Sequence, residues 1–497
     1  MNKLNFTICI SIILLPALFF SACNDRFEDY STSPDDLLAF STDTIAFDTI
    51  ITTINTPFQI FKVYNPHSRA LLISSVYLEK GAESGFKINV DGRAGSSAEN
   101  VEIRGKDSLF VFVDAKPAKN GSNTPQYITD KIIFVTNGVE QNVLLEASTQ
   151  DAVIWKGFAV SSNSVLSNLK PFVIYDSLVI DEGIVVELKA GTTFYMHGNA
   201  EIIVKGTLKA KGTQENPVVI RGDRFDRMVN IPYDLIPGQW GGIRFESNSY
   251  QNELDYVCIR NGKYGMDFKL SDPLPSKMKM KNVVLTNFKG ILINALNCNI
   301  EAENCEFSNA KGALLNLIGG RYNFIHCTIA NYYASNVEAG WGSSNQETVH
   351  LSGSYLNQET EETEHYPILK ADFKNCIIWG NAGSSDIVIE KNEEVSVSNY
   401  FQNCIIPNDN ATNDDERKLN ATVVNCLINM DPKFKKVDSD DFTYDLRLDS
   451  ISPARNKADP KISKQIPYDL KGMNRFLDEG PDMGAYEWNE ENEEEKK

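Results

Sequence analysis

The sequence predicts an all-β chain: an N-terminal antiparallel β-sandwich followed by a right-handed parallel β-helix. Three observations carry this. Residues 37–152 break into short runs such as FKINV, SLFVFVD and KIIFVT, whose period-two alternation and β-branched content mark half-buried strands. Beyond Trp155 a sequence unit of about 22 residues recurs. That unit contains no amphipathic helix, so its apolar residues are buried only by stacking one unit on the next.

Residues 1–22 read as a secretory leader: Lys3, an apolar stretch from Phe6 to Phe20, then Ser21 and Ala22. The stretch is too short and too poorly flanked to span a bilayer. FSAC, ending at Cys23, resembles a bacterial lipobox. The resemblance implies cleavage before Cys23 and lipid on its thiol and new amine, and several acyl chains hold a protein stably at a membrane. Residues 23–36 are an acidic tether. NDRFEDY, with Asp25, Glu28 and Asp29, resembles the export signal of Bacteroidota surface lipoproteins, implying a lipid-anchored place outside the outer membrane; a tether facing the periplasm is the alternative.

Composition excludes wholesale disorder, with 42% hydrophobic and 23% charged residues. A net charge of −19 repels phosphates, so nucleic acid is not an expected partner. The one basic run, Lys277, Lys279 and Lys281 in SDPLPSKMKMKN, reads as a solvated turn.

Within the sandwich, 37–152, Asn137-Gly138 is the strongest hairpin signal, and Asn65-Pro66 and Asp91-Gly92 mark further turns. Roughly seven short strands at this spacing fit an immunoglobulin-like sandwich. It holds no cysteine, hence no inter-sheet disulfide. KVYNPHSRALLISSVYL and DKIIFVTNGVEQNVLLEA resemble sandwich modules appended to cell-surface proteins, implying spacing or protein contact.

The β-helix is expected over 153–488, with an acidic tail at 489–497. Its clearest phrase is NCIIWGN at 375–381, echoed by NCEFSN, HCTIAN and NCIIPN. Aligning Val257, Val283, Cys305 and Cys327 gives separations of 26, 22 and 22; Cys376 comes next at 49, read as two coils, then Cys404 at 28 and Cys426 at 22. Gly290/Gly312, Ile293/Leu315, Ile300/Tyr322 and Ala302/Phe324 share the same 22. The early coils, from LVIDEGIVVEL onward, read as a shorter period. Coils stacked at ~4.8 Å place Cys376 in the core, and Asn381 is expected to turn a corner.

GTLKAKGTQENPVVIRGDR, GQWGGIRF, the NCIIWGN phrases, FTYDLRLDSISPARNK and GPDMGAYEW together resemble the β-helix lipoproteins of Bacteroidota, broadly of pectin-lyase-like architecture. The resemblance covers about residues 23–488. It implies fold and envelope location, while activity on this architecture varies from lyases and hydrolases to none. Five Asp-Ser/Thr-apolar tripeptides, at Thr44, Thr49, Ser108, Ser177 and Ser450, resemble the O-glycosylation signal of the same phylum.

No catalytic set emerges from the sequence. A galacturonan hydrolase would carry N-T-D, D-D, H-G and R-I-K in order; His197-Gly198 comes too early and Asp440-Asp441 sits near the terminal coil. Asp223, Asp226, Arg224 and Arg227 in RGDRFDR are the densest charge cluster and read as surface ion pairs on a loop. The register aligns no carboxylates, or base with carboxylates, on one face. The scattered histidines and unpaired cysteines predict no metal, and in-register thiols stack too far apart for disulfides; no cofactor is expected. Binding through aromatic loops remains: Trp240 beside Tyr233, then Tyr332, Tyr333 and Trp341, then Tyr366 beside Tyr355. The favoured reading is a non-catalytic surface lipoprotein binding polysaccharide or an envelope protein. A polysaccharide lyase or glycoside hydrolase with an unrecognised site, and a structural envelope protein, stay open.

Overall fold

The computed structural model describes residues 29–228, 231–333, 346–381, 386–390, 393–407, 421–438 and 441–489. Cys23 and Trp341 lie outside them. The chain divides into two compact units after Gln150. Both are built of strands.

The first unit is a sandwich of two five-stranded sheets. Phe61, Val63, Leu71, Ile73, Val76 and Phe134 are among the side chains meeting between them. Period two decides which residues face in: in Gln59–Tyr64, Phe61 and Val63 are buried while Ile60 and Tyr64 face out. Asn137 and Gly138 take φ of 52° and 78°, the two positive values a tight primed turn requires, and pair Thr136 with Val139. One pairing departs from the expected antiparallel pattern. Thr44–Ile51 runs parallel to Val139–Gln150, with a bulge after Ala147.

The second unit is a parallel β-helix, its strands joined in one 26-stranded sheet. Ile293 pairs with Leu315, Ile300 with Tyr322 and Ala302 with Phe324, the 22-residue register of the sequence. Inward positions form ladders. Phe324, Phe373 and Phe401 stack at centroid distances of 5.0 and 4.9 Å with rings 4° apart. Cys305, Cys327, Cys376 and Cys404 are fully buried, and the described cysteines are free thiols.

Three expectations about the coils need correction. Thr328 pairs directly with Ile377, so the 49-residue interval is one coil enlarged by loops, not two coils. The early coils are not shorter: Ser164 pairs with Val186 and Val185 with Thr207, again 22 apart. The corner belongs to the asparagine before the cysteine. Asn282, Asn304, His326, Asn375, Asn403 and Asn425 all adopt φ between 49° and 59°, a left-handed geometry asparagine tolerates, whereas Asn381 does not. The Lys277 run is no solvated turn either. Lys279 and Lys281 lie in the strand Met278–Phe288, and Lys277 is buried, its ammonium donating to Glu246 and Ser247 carbonyls. Burial pulls its pKa down to about 8.

The last rung is Leu427–Ile428. The residues beyond it do not form a further coil. The hairpin Phe434–Asp438/Thr443–Leu448 and the short helix Pro460–Ser463 begin a segment that folds back over the outside of the helix. Leu448, Ala454, Ala458 and Met483 cover Ile377 and Ile405, and Leu446, Leu470, Ala485 and Tyr486 cover Ala330. The SPARNK and GPDMGAYEW phrases staple each other here: Asp482 accepts from the Asn456 and Trp488 amides at 2.7 Å each. Arg475, fully buried, donates to Glu487 and Asn304 at 2.6 Å each.

His326 joins the same seam. Its Nε2 lies 2.8 Å from Ser463 Oγ and 3.0 Å from Asn375 Nδ2, and its Nδ1 3.3 Å from the Gly484 carbonyl. This arrangement suits a neutral ring, and burial, with the nearby Arg475 charge, pushes its pKa well below the usual histidine range. The unfolded chain takes up a proton near pH 6.5 that the folded chain refuses. Stability is therefore lost as pH falls below about 6.5, by up to about 1.4 kcal/mol per pH unit. His326→Asn, which installs the residue found at the equivalent corners, is expected to flatten that slope. Urea midpoints of both proteins at pH 7.5 and pH 5 check it.

Candidate functional site

Strand alternation sets what this sheet shows to solvent. Phe172, Ile174, Phe194 and Met196 point into the core, so Tyr175 and Tyr195 point out. Lys156 pairs with Tyr175. One residue beyond Ile174↔Met196 and Met196↔Gly222, the register sets Tyr175 beside His197 and His197 beside Asp223. These four form one outward column on successive coils.

Their contacts follow from the column. His197 Nδ1 lies 2.6 Å from Asp223 Oδ2. The His197 side chain is 50% exposed and Asp223 15%, and no hydrogen bond to Nε2 is found among the described residues. The Tyr175 ring lies against the imidazole, centroids 4.3 Å apart, and the Lys156 ammonium sits 5.1 Å from the centroid of the same tyrosine ring. Burial, then the Asp223 charge, raises the Tyr175 pKa, keeping its hydroxyl protonated.

A second column runs beside the first. Tyr195 pairs with Arg221, the residues after Ile220 and Ile259 bring Arg221 next to Arg260, and Thr286 and Ser308 extend the line. Residues 223–227 and 231–239 of an enlarged coil fold over this column. Asp234 accepts from Arg260 Nε at 2.7 Å and Nη2 at 3.1 Å, with Arg221 Nη2 at 3.3 Å. Phe225 lies between the Arg221 guanidinium and the Tyr195 ring, 4.9 and 5.0 Å away. Arg224 grips Asp226 with two nitrogens and lies 3.9 Å over Tyr233.

The second column runs into a cleft of about 290 Å³, walled by Asp234, Arg260, Tyr333, Phe442 and Tyr444. On its floor Ser308 Oγ lies 2.8 Å from both Thr286 Oγ1 and Glu306 Oε1. Tyr486 donates to the other Glu306 oxygen. Burial raises the Glu306 carboxyl above the usual range.

The aromatic residues named from the sequence separate here. Trp240 is a correction: it is fully buried, its Nε1 donating to the Arg260 carbonyl at 2.8 Å, because the GQWGG turn folds the indole into the core. Tyr333 lines the cleft with 5% exposure. Tyr332 packs half-buried between Phe434 and Tyr444. Tyr366 stands apart, bonded to Glu364 beside the hairpin Ser354–Leu356/Thr363–His365. Trp341 lies outside the described residues.

Sequence reasoning missed the Lys156–Tyr175–His197–Asp223 column. It also missed the pairing of Arg260 with Asp234 and the place of Glu306. A base and carboxylates do converge on one face, against the expectation. The signal was present: Phe172/Phe194 and Tyr175/His197 share the 22-residue spacing, well ahead of Val257, where the repeat first becomes conspicuous. Among the described residues no three His, Cys, Asp or Glu side chains group to hold a metal ion, and no helix is long and apolar enough to cross a membrane.

No protein-family profile matches the chain, and no curated protein does. Solved structures give distant likenesses. The catalytic domain of a GH87 alpha-1,3-glucanase in complex with nigerose is 9% identical, covering 75% of this chain and 87% of that one at a TM-score of 0.18. A second structure of that domain is 10% identical, covering 76% and 85% at 0.16. A family 123 glycoside hydrolase from Clostridium perfringens is 8% identical over 23% of this chain and 26% of that one, at 0.17. The chain thus spans about a quarter of that hydrolase. At these scores the likenesses bear on neither site nor activity.

Proposed function

We propose that the chain is a lipid-anchored surface protein of the bacterial envelope that binds polysaccharide along this face of its β-helix. One observation carries the reading. Aromatic rings and paired charges run over successive coils, from Lys156 to Ser308, and end in the cleft. Tyr175, Tyr195, Phe225 and Tyr233 offer ring faces and edges to the C–H surfaces of sugars. Between them Asp223, Asp234, Arg221 and Arg260 offer donors and acceptors to hydroxyls. Coils rise ~4.8 Å each, a step close to one sugar residue of an extended chain, so successive residues would meet successive rungs. Charges already paired on the protein favour a chain recognised by hydroxyls over one recognised by dense negative charge. The lipobox-like FSAC and the acidic residues after Cys23 support attachment at the outer membrane, facing outward.

Affinity electrophoresis of the purified protein through gels holding neutral or acidic polysaccharides tests the binding reading. Retention by at least one neutral polysaccharide is expected, weakened about tenfold, or 1.4 kcal/mol, when Arg221 and Tyr233 are both replaced by alanine. Unretarded migration in every gel would remove it. Loss of labelled-palmitate incorporation in Cys23→Ala tests the anchor.

A further inference from the structure

We infer that Tyr175, His197 and Asp223 form a hydrolytic site for ester substituents, such as O-acetyl groups, on the glycan held along this face. The inference rests on glycan binding to the same columns. Its starting point is the His197–Asp223 pair. A carboxylate 2.6 Å from Nδ1 fixes the imidazole tautomer and orientation and leaves Nε2 to take a proton. A half-exposed ring on a flat outer sheet has no core-packing role to explain that pair, since the core lies on the other side of the strand.

The surroundings choose the reaction. Hydrolysis of a glycosidic bond needs two carboxyl groups free to act across it, but Asp223 is held by His197, Asp226 by Arg224, and Asp234 by two arginines. Elimination beside a uronate carboxylate needs a cation on that carboxylate next to the base. Arg221 and Arg224 are engaged elsewhere, and Lys156 lies over Tyr175, a coil further from His197. What His197 does have beside it is the Tyr175 ring, centroids 4.3 Å apart, whose hydroxyl is kept protonated by burial and by the Asp223 charge. A base with one adjacent donor suits attack of water on an ester carbonyl.

The step balances without a cofactor. Water oxygen bonds to the acyl carbon while its proton passes to His197 Nε2, and the carbonyl oxygen becomes an oxyanion that accepts from the Tyr175 hydroxyl. Collapse breaks the acyl carbon–oxygen bond, and the proton on Nε2 goes to the departing sugar oxygen. The products are the sugar alcohol and a carboxylic acid, which ionises and releases one proton to solution. His197 and Tyr175 are the catalytic residues; Asp223 is a positioning residue.

Acid release from acetylated xylan, acetylated glucomannan and 4-nitrophenyl acetate, followed at constant pH, tests this on the purified protein. The expected result is release above the buffer rate. It should drop roughly a hundredfold or more in His197→Gln and by a similar factor in kcat in Tyr175→Phe. Asp223→Asn should lower kcat by a larger factor than it raises KM and displace the pH profile. Release at the buffer rate from all three esters, or equal rates in wild type and His197→Gln, would overturn the inference. Gel retention of the wild type reports glycan binding separately: no retention sinks the binding reading, whereas retention without acid release by the wild type sinks the catalytic one alone.

Discussion

Replacing Arg475 with methionine is expected to destabilise the folded-back C-terminal segment by roughly 3–5 kcal/mol. The guanidinium is fully buried and is held by Glu487, Asn304 and the Gly484 carbonyl. Methionine fills much of the volume but leaves Glu487, itself 3% exposed, without its charged partner and with only the Asp482 amide donating to it. An uncompensated buried carboxylate costs more than the ion pair was worth, so the single change is severe. Arg475→Met combined with Glu487→Gln is expected to recover part of the loss, because a neutral amide is cheaper to bury than a charge. Limited trypsin digestion checks both: cleavage within 455–475 should accelerate strongly in the single variant and less in the double. Cleavage at the wild-type rate in the single variant would show that the seam does not depend on this residue.

The second large effect is expected at Phe373. Its ring is fully buried between Phe324 and Phe401, parallel to both. Phe373→Ala removes two stacked contacts and opens a void that neighbouring coils, fixed by their ladder hydrogen bonds, fill poorly. The expected cost is about 3–5 kcal/mol, against less than about 1.5 kcal/mol for a substitution that keeps the volume, such as Phe373→Met. Urea unfolding followed by tryptophan fluorescence separates the two. Similar midpoints for both variants would mean the stack relaxes around the gap.

The repeat was legible because in-register stacking makes one position identical in environment from coil to coil, and identical environments select similar residues. Cys305, Cys327, Cys376 and Cys404 are small and apolar at one inward position, and the residue before each is the one that turns the corner. The phrase NCIIWGN was therefore readable as architecture, although which of its asparagines bends the chain was not. Both flank apolar residues, and only the backbone angle distinguishes Asn375 from Asn381. The folded-back segment was illegible for a different reason. Its buried apolar residues are much sparser than those of a coil, and the contacts of Arg475 with Asn304 and of His326 with Gly484 lie at separations that no local pattern encodes. The outward columns were hidden by their own logic. Outward residues need not repeat, so Lys156, Tyr175, His197 and Asp223 share no residue type and become a group only once the 22-residue spacing is carried back to Phe172. Trp240 was misjudged because a tryptophan between glycines reads as exposed, yet those glycines let the backbone approach and the indole turn inward.

The folded-back segment also sets an order of events in the making of the protein. Each coil finds its stacking partner about 22 positions away and can dock as it emerges, but the seam joins residues far more distant. Tyr486 to Glu306 spans 180 positions, Arg475 to Asn304 spans 171, and His326 to Gly484 spans 158. Contacts this remote close late. Until they do, the column bearing Ile377 and Ile405 stays uncovered, and a growing chain carries an adhesive stripe along its newest coils. Holdase chaperones and quality-control proteases would meet the protein through that stripe, and their grip would end when the segment bearing Leu446 to Tyr486 swings back to cover it.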